Sequence, residues 1–111
     1  MLNLPKSPPK STPAVTFLSN HAHVLVAVAR EPDVRMRDIA DTVGITERAV
    51  QRIVEDLNTR GYIIIAKDGR RNRYEIQPDV HLSHPLTQHF TLGELLRFLY
   101  PPFITRAGNT S

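Results

Sequence analysis

RDIADTVGITERAVQRIVEDLNTRG, residues 37–61, decides the fold. Ile39, Ala40 and Val43 recur at the spacing of one helix face, which predicts a short helix over roughly Arg37 to Val43. Gly44 then ends it, because glycine takes the left-handed conformation at a helix C-terminus without a Cβ clash. Ile45 is an apolar plug in the turn, and Thr46 is the next N-cap. From there Ala49, Val50, Ile53, Val54 and Leu57 give the cleanest helical period in the chain, closed by Gly61. Two short amphipathic helices joined by a glycine turn form a helix-turn-helix.

Upstream, Ser19 or Asn20 can cap a helix in which Ala22, Leu25, Val28 and Ala29 recur at three- and four-residue steps. Val24 and Val26 lie off that stripe, so this helix is either deeply buried or shared with a second subunit. It should stop near Arg30-Glu31, since Pro32 drives its predecessor out of the helical region. Val34-Arg35-Met36 is long enough for one short strand. Downstream, Tyr62 to Ala66 is a β-branched and aromatic run of strand length. Asp68-Gly69 signals a turn, and Arg73 to Gln77 alternates as a second strand. That predicts a hairpin with Arg70 and Arg71 at its tip and Arg73 at the start of the returning strand. Beyond Pro78 the pattern is irregular, with a short turn of helix expected around Pro85–Phe90. Thr91-Leu92-Gly93-Glu94 is a capping box, and Leu92, Leu95, Leu96 and Leu99 then form a helical stripe that Pro101-Pro102 terminates.

With 111 residues there is room for one ordinary domain. The composition is that of a globular protein, 41% hydrophobic and 23% charged. The absence of cysteine removes disulfides, thiolate metal sites and thiol nucleophiles together. No apolar run reaches the ~18 residues of a membrane span and no signal segment follows Met1, so the expected compartment is the cytoplasm. Residues 1–16 carry four of the nine prolines, interleaved with Lys6 and Lys10, and read as a flexible tail or a basic arm. The expected organisation is this tail, a helix-turn-helix and hairpin unit over 17–79, a C-terminal helical extension over 80–100 and a second tail over 101–111.

The order helix, short strand, helix, glycine turn, helix, hairpin is that of a winged helix-turn-helix. It is mainly α, with a three-helix core, a two- or three-stranded antiparallel wing and an extra C-terminal helix. Residues 19–77 resemble the multiple-antibiotic-resistance-regulator (MarR) and arsenical-repressor (ArsR) groups of bacterial transcription regulators. The resemblance is carried by Arg37-Asp38-Ile39-Ala40, Val43-Gly44-Ile45-Thr46, Ala49-Val50 with Leu57, Gly61-Tyr62-Ile63 and Gly69-Arg70-Arg71-Asn72-Arg73-Tyr74. Arg35 stands where relatives often place a Ser or Thr cap. The resemblance implies a regulator that binds double-stranded DNA, with contacts expected from Arg37 and from the recognition helix and wing.

The chemistry of those two elements can be argued on its own terms. With Val50, Ile53, Val54 and Leu57 turned to the core, the opposite face of the recognition helix, about residues 46–60, carries Thr46, Glu47, Arg48, Gln51, Arg52 and Glu55. Arg pairs bidentately with guanine and Gln with adenine, and the N-terminal end of such a helix is the part that reaches base edges. Glu47 can accept from cytosine or simply favour the helix dipole. Without the wing, this face also reads as an ordinary solvated one. In the wing, Lys67, Arg70, Arg71 and Arg73 against Asp68 give a local +3, with Asn72 among them. Crowded like charges are relieved by a polyanion, whose counterions are released on contact.

Other readings carry less. His21 and His23 are two apart on a helix and cannot share a face. His81, His84 and His89 lack cysteine partners and are interrupted by Pro85, so no metal site is expected. No cofactor is expected, and no nucleophile context or phosphate loop points to an enzyme. The first helix and the late leucine helix are the expected dimer surfaces, through Leu25, Leu92, Leu95, Leu96 and Leu99, because a small three-helix core does not need all that apolar area. The rival reading is a winged-helix protein-interaction module in a larger assembly that does not read DNA. A small-molecule effector, the operator and the sign of regulation leave no trace in the residues.

Overall fold

A computed structural model describes residues 16–103, so the tails expected over 1–16 and 101–111 lie almost wholly outside the described residues. Within them the order is α1 (Asn20–Arg30), α2 (Met36–Val43), α3 (Glu47–Thr59), β1 (Ile63–Asp68), β2 (Arg71–Ile76) and α4 (Leu92–Leu99). This is a winged helix fold.

Each helix starts where a side chain can satisfy an orphan amide, with one exception. Ser19 Oγ accepts from the Ala22 N–H at 3.3 Å and Thr46 Oγ1 from that of Ala49 at 3.0 Å. The capping box at α4 is complete, with Thr91 Oγ1 accepting from the Glu94 N–H at 3.2 Å and Glu94 Oε1 accepting from the Thr91 N–H at 2.9 Å. The exception is α2, where Arg35 occupies the N-cap and makes no side-chain bond. Asp38 in the first turn still complements the positive end of its dipole.

Gly44 ends α2 at φ 88°, and the amides of Gly44 and Ile45 both reach the Ala40 carbonyl, at 2.8 and 3.1 Å. A Cβ at Gly44 would meet nothing within 4 Å, so the demand for glycine there is purely conformational. Gly44→Ala should therefore lower the unfolding free energy by ~1–2 kcal/mol, measured by urea denaturation, with no change in the packing of α2 on α3.

The core is one continuous cluster. Val24, Leu25 and Val28 of α1 meet Ile39 and Ala40 of α2 and Val50, Ile53, Val54 and Leu57 of α3. Ile63 and Tyr74 close it from the hairpin, and Leu92 and Leu96 of α4 close it from the other end. α4 packs directly on α1. The strands pair antiparallel with Ile65 opposite Tyr74 and Asp68 opposite Arg71, leaving Gly69 and Arg70 as the two loop residues. Gly69, at φ 67°, takes the first of these positions, where a tight hairpin needs a positive φ.

Two expected elements are replaced by turns. Val34-Arg35-Met36 is not a strand: the Val34 N–H is bonded to the Glu31 carbonyl at 3.0 Å, Arg35 caps α2 and Met36 already belongs to it. Each residue is committed before a ladder could form, and the sheet has two strands. Around Pro85–Phe90 the chain makes successive turns, Thr87 N–H to His84 carbonyl and Phe90 N–H to Thr87 carbonyl, each at 2.9 Å. The Leu86 N–H is bonded to His84 Nδ1 at 3.0 Å, and the Phe90 N–H goes to the Thr87 carbonyl rather than to that of Leu86, four residues back, as an α-helix would require. The hairpin boundaries also shift, since β2 begins at Arg71 rather than Arg73 and β1 at Ile63 rather than Tyr62.

Candidate nucleic-acid interface

The fold presents two features beside one another in the chain: the outer face of α3, where Arg48 and Arg52 stand with Glu47 and Glu55, and the cationic hairpin that follows it. On α3, four buried side chains (Val50, Ile53, Val54 and Leu57) hold the helix to α1 and α2. Thr46, Glu47, Arg48, Gln51, Arg52 and Glu55 are all exposed on the remaining surface. Among the described residues Arg48 and Arg52 enter no ion pair. Arg37, from α2, lies 3.7 Å from Glu47 through Nε and Oε2, with 77% and 59% of the two side chains exposed. Gln51 Nε2 donates to Glu55 Oε2 at 3.4 Å. Both interactions are long and solvated, so they hold these groups only weakly. The whole set near the N-terminus of α3 is able to turn outward.

Of Arg70 and Arg71, both expected at the wing tip, Arg71 already belongs to the returning strand, opposite Asp68. Arg70 alone occupies the turn beside Gly69. Side chains alternate between faces of a strand, so Lys67 and its partner Asn72 share the face of buried Tyr74, while Arg71 and Arg73 lie on the other. Lys67, Arg70, Arg71 and Arg73 are exposed and Asn72 is half-buried. Arg71 is also engaged: its Nη2 donates to the backbone carbonyl of Asp33 at 2.7 Å.

Of the five residues expected at a dimer surface, three are consumed within the subunit. Leu25, Leu92 and Leu96 belong to the core, while Leu95 and Leu99 are half-buried. Phe98, on the same helix, is exposed, as are Leu86 and Phe90 of the preceding turns.

Behind α3 a groove of about 310 Å³ runs between α1, the end of α3 and the 82–87 turns, with Leu25, Leu57, Leu82 and Leu92 among its walls. At its rim His21 Nε2 lies 2.9 Å from Asp56 Oδ2 and Arg60 Nε donates to Asp56 Oδ1 at 3.0 Å. The Arg60 hydrogen bond, and secondly that of His21, hold the Asp56 carboxyl below its ordinary value. The Asp56–Arg60 pair follows from helical spacing, but the bond to His21, 35 residues away, leaves no local signal. The other histidines serve the turns: His81 Nδ1 is 2.9 Å from the Gln88 carbonyl, and His84 Nδ1 meets the Leu86 amide. Among the described residues no three His, Asp or Glu side chains converge to hold a metal ion. No described helix is long and apolar enough to cross a membrane.

Comparison with known proteins adds a family match over residues 15–71, just over half the chain, to the model described as the MarR family. The matched segment runs from before α1 into the start of β2; α4 lies beyond it. No protein of curated function matches. Among solved structures, the PcaV transcriptional regulator of Streptomyces coelicolor, determined with its natural ligand, is 19% identical with a TM-score of 0.49, over 84% of this chain and 67% of that one. A protein of Lactobacillus plantarum described as a candidate transcriptional regulator is 20% identical with a TM-score of 0.43, over 81% of this chain and 54% of its own.

Proposed function

This chain belongs to the MarR family, and from that premise we propose that it is a sequence-specific regulator that grips double-stranded DNA as a homodimer. α3 lies in the major groove, with Arg48, Gln51 and Arg52 as the base-reading side chains and Thr46 and Glu47 at the same end. Arg37 supports them from α2. The wing lies on the adjacent backbone or minor groove through Lys67, Arg70, Asn72 and Arg73. The observation that carries this reading is the division of α3 into a buried apolar face and an exposed face whose two arginines enter no ion pair among the described residues. Regulators of this family are generally not enzymes, and no cofactor enters the proposal.

The dimer half of the proposal rests on α4. Leu95 and Leu99 are half-buried and Phe98 is exposed on a helix whose other side is already packed. Two-fold pairing through that surface would place two recognition helices ~34–36 Å apart, one turn of DNA, and would select a palindromic site. The same apolar surface, with Leu86 and Phe90, is what favours the second reading, a protein-interaction module that does not touch DNA.

A gel shift on a random-sequence duplex pool over a range of salt separates the two. A DNA regulator binds the pool at low salt, and its log affinity falls linearly with log salt. Arg70→Ala with Arg73→Ala should then weaken binding to all duplexes alike and flatten the salt slope by ~0.9 for each phosphate that a subunit no longer neutralises. Absence of any shift at low salt leaves the protein-interaction reading in its place.

A further inference from the structure

A two-stranded hairpin has a free outer edge, and its angle to the body of the domain must be set by something other than its own ladder. In this chain that edge is not bare. N–H groups alternate sides along a strand, and that of Tyr74, opposite Ile65, is directed to the Pro32 carbonyl at 2.9 Å in the α1–α2 loop. A third strand would continue from there with further backbone bonds. The loop cannot, because Pro32 has no N–H and that of Val34 is already bonded to Glu31. The next carbonyl along the loop, Asp33, is met instead by a side chain. Arg71 Nη2 donates to it at 2.7 Å, the short distance of a charge-assisted hydrogen bond.

We propose that Arg71 is a positioning residue which braces the wing against the α1–α2 loop, and that it does not itself bind a phosphate. Pro32 and Asp33 directly precede α2, which leads through Gly44 into α3. The brace therefore fixes the offset between the wing tip at Arg70 and the recognition helix. That offset matters because both elements must meet one rigid duplex at once. A wing free to tilt binds its part of the backbone at lower effective concentration once α3 is seated. The guanidinium supplies by side chain what a third strand supplies by backbone. This is why an arginine beside the turn contributes to DNA affinity without releasing a counterion.

The proposal rests on the DNA-binding reading above, and its test has one arm independent of that reading. Arg71→Gln and Arg70→Gln are compared with the parent for binding to mixed-sequence duplex DNA across a salt series, and for hydrogen exchange of the Tyr74 amide. Arg70→Gln should flatten the salt slope by ~0.9 for each phosphate left without its cation in a subunit, with Tyr74 exchange unchanged. Arg71→Gln should lower affinity about tenfold at every salt, the scale of one charge-assisted hydrogen bond. Its slope should remain that of the parent while Tyr74 exchanges several-fold faster. Flattening of the slope by Arg71→Gln, or unaltered Tyr74 exchange, overturns the brace. If the parent binds no duplex at any salt, the DNA reading fails, and the Tyr74 exchange rate alone upholds or overturns the brace.

Discussion

Leu96→Ala should lower the unfolding free energy by ~2–5 kcal/mol, the cost of a cavity at a fully buried leucine. For a domain of ordinary marginal stability, ~5–15 kcal/mol, that is a large share of the total. Leu96 is 0% exposed and Leu92 1%, both within the cluster that α1 and α3 build. The amides of Leu92 and Gly93 are bonded back to the Val80 and Pro78 carbonyls at 2.8 and 2.9 Å, which anchors α4 through its first turn. Helix α4 is therefore a structural wall of the domain although it lies beyond the family match. Phe98, 83% exposed on the same helix, provides the contrast. Phe98→Ser should change the stability of a monomer by no more than ~0.5 kcal/mol, while loosening a dimer that uses this surface. Denaturant titration and sedimentation of the two variants separate the roles. A Leu96→Ala protein as stable as the parent would remove α4 from the core.

Arg48→Ala combined with Gln51→Ala should relax the preferred DNA sequence and leave low-salt binding to mixed duplexes largely intact. A bidentate base contact carries ~1–3 kcal/mol of discrimination against the wrong base, so the two positions together separate good from poor sites by roughly thirtyfold to 10⁴-fold. Gln51 needs only to release its 3.4 Å hydrogen bond to Glu55, and Arg48 has no ion pair among the described residues to break. The cost of presenting them to a groove is small. Selection of bound sequences from a random pool is the measurement. A double variant that selects the parental site at every position would show that neither side chain reads bases. A variant that loses low-salt binding altogether would show that both hold phosphates instead.

Much of the fold is legible in the chain itself. The three-helix order, the Gly44 turn, the Ser19 and Thr46 caps, the Thr91–Glu94 capping box and the hairpin turn at Gly69 are all local. Each depends on residues within four positions of one another, where periodicity and backbone preference act directly. The division of α3 into core and outer faces follows from the same period. The misplaced elements are those decided by competition for backbone donors. Val34 could extend only if its amide were free, and a turn with Glu31 takes it; over Pro85–Phe90 the Phe90 amide closes a three-residue turn on Thr87 instead of reaching back four residues as in an α-helix.

By itself, then, the sequence determined the four helices and the hairpin, where they begin and end to within a residue or two, and which side of α3 turns away from the core. Only the tertiary structure decided how long-range partners are shared out. It placed Leu25, Leu92 and Leu96 inside the subunit while leaving Leu95, Leu99 and Phe98 nearer the surface, set His21 against Asp56, and drew Arg71 to the Asp33 carbonyl. An amphipathic stripe records that a face must be covered but not by what, because burial of apolar area is non-directional. A guanidinium likewise binds whatever acceptor the fold brings within reach, and that acceptor here lies 38 residues away along the chain.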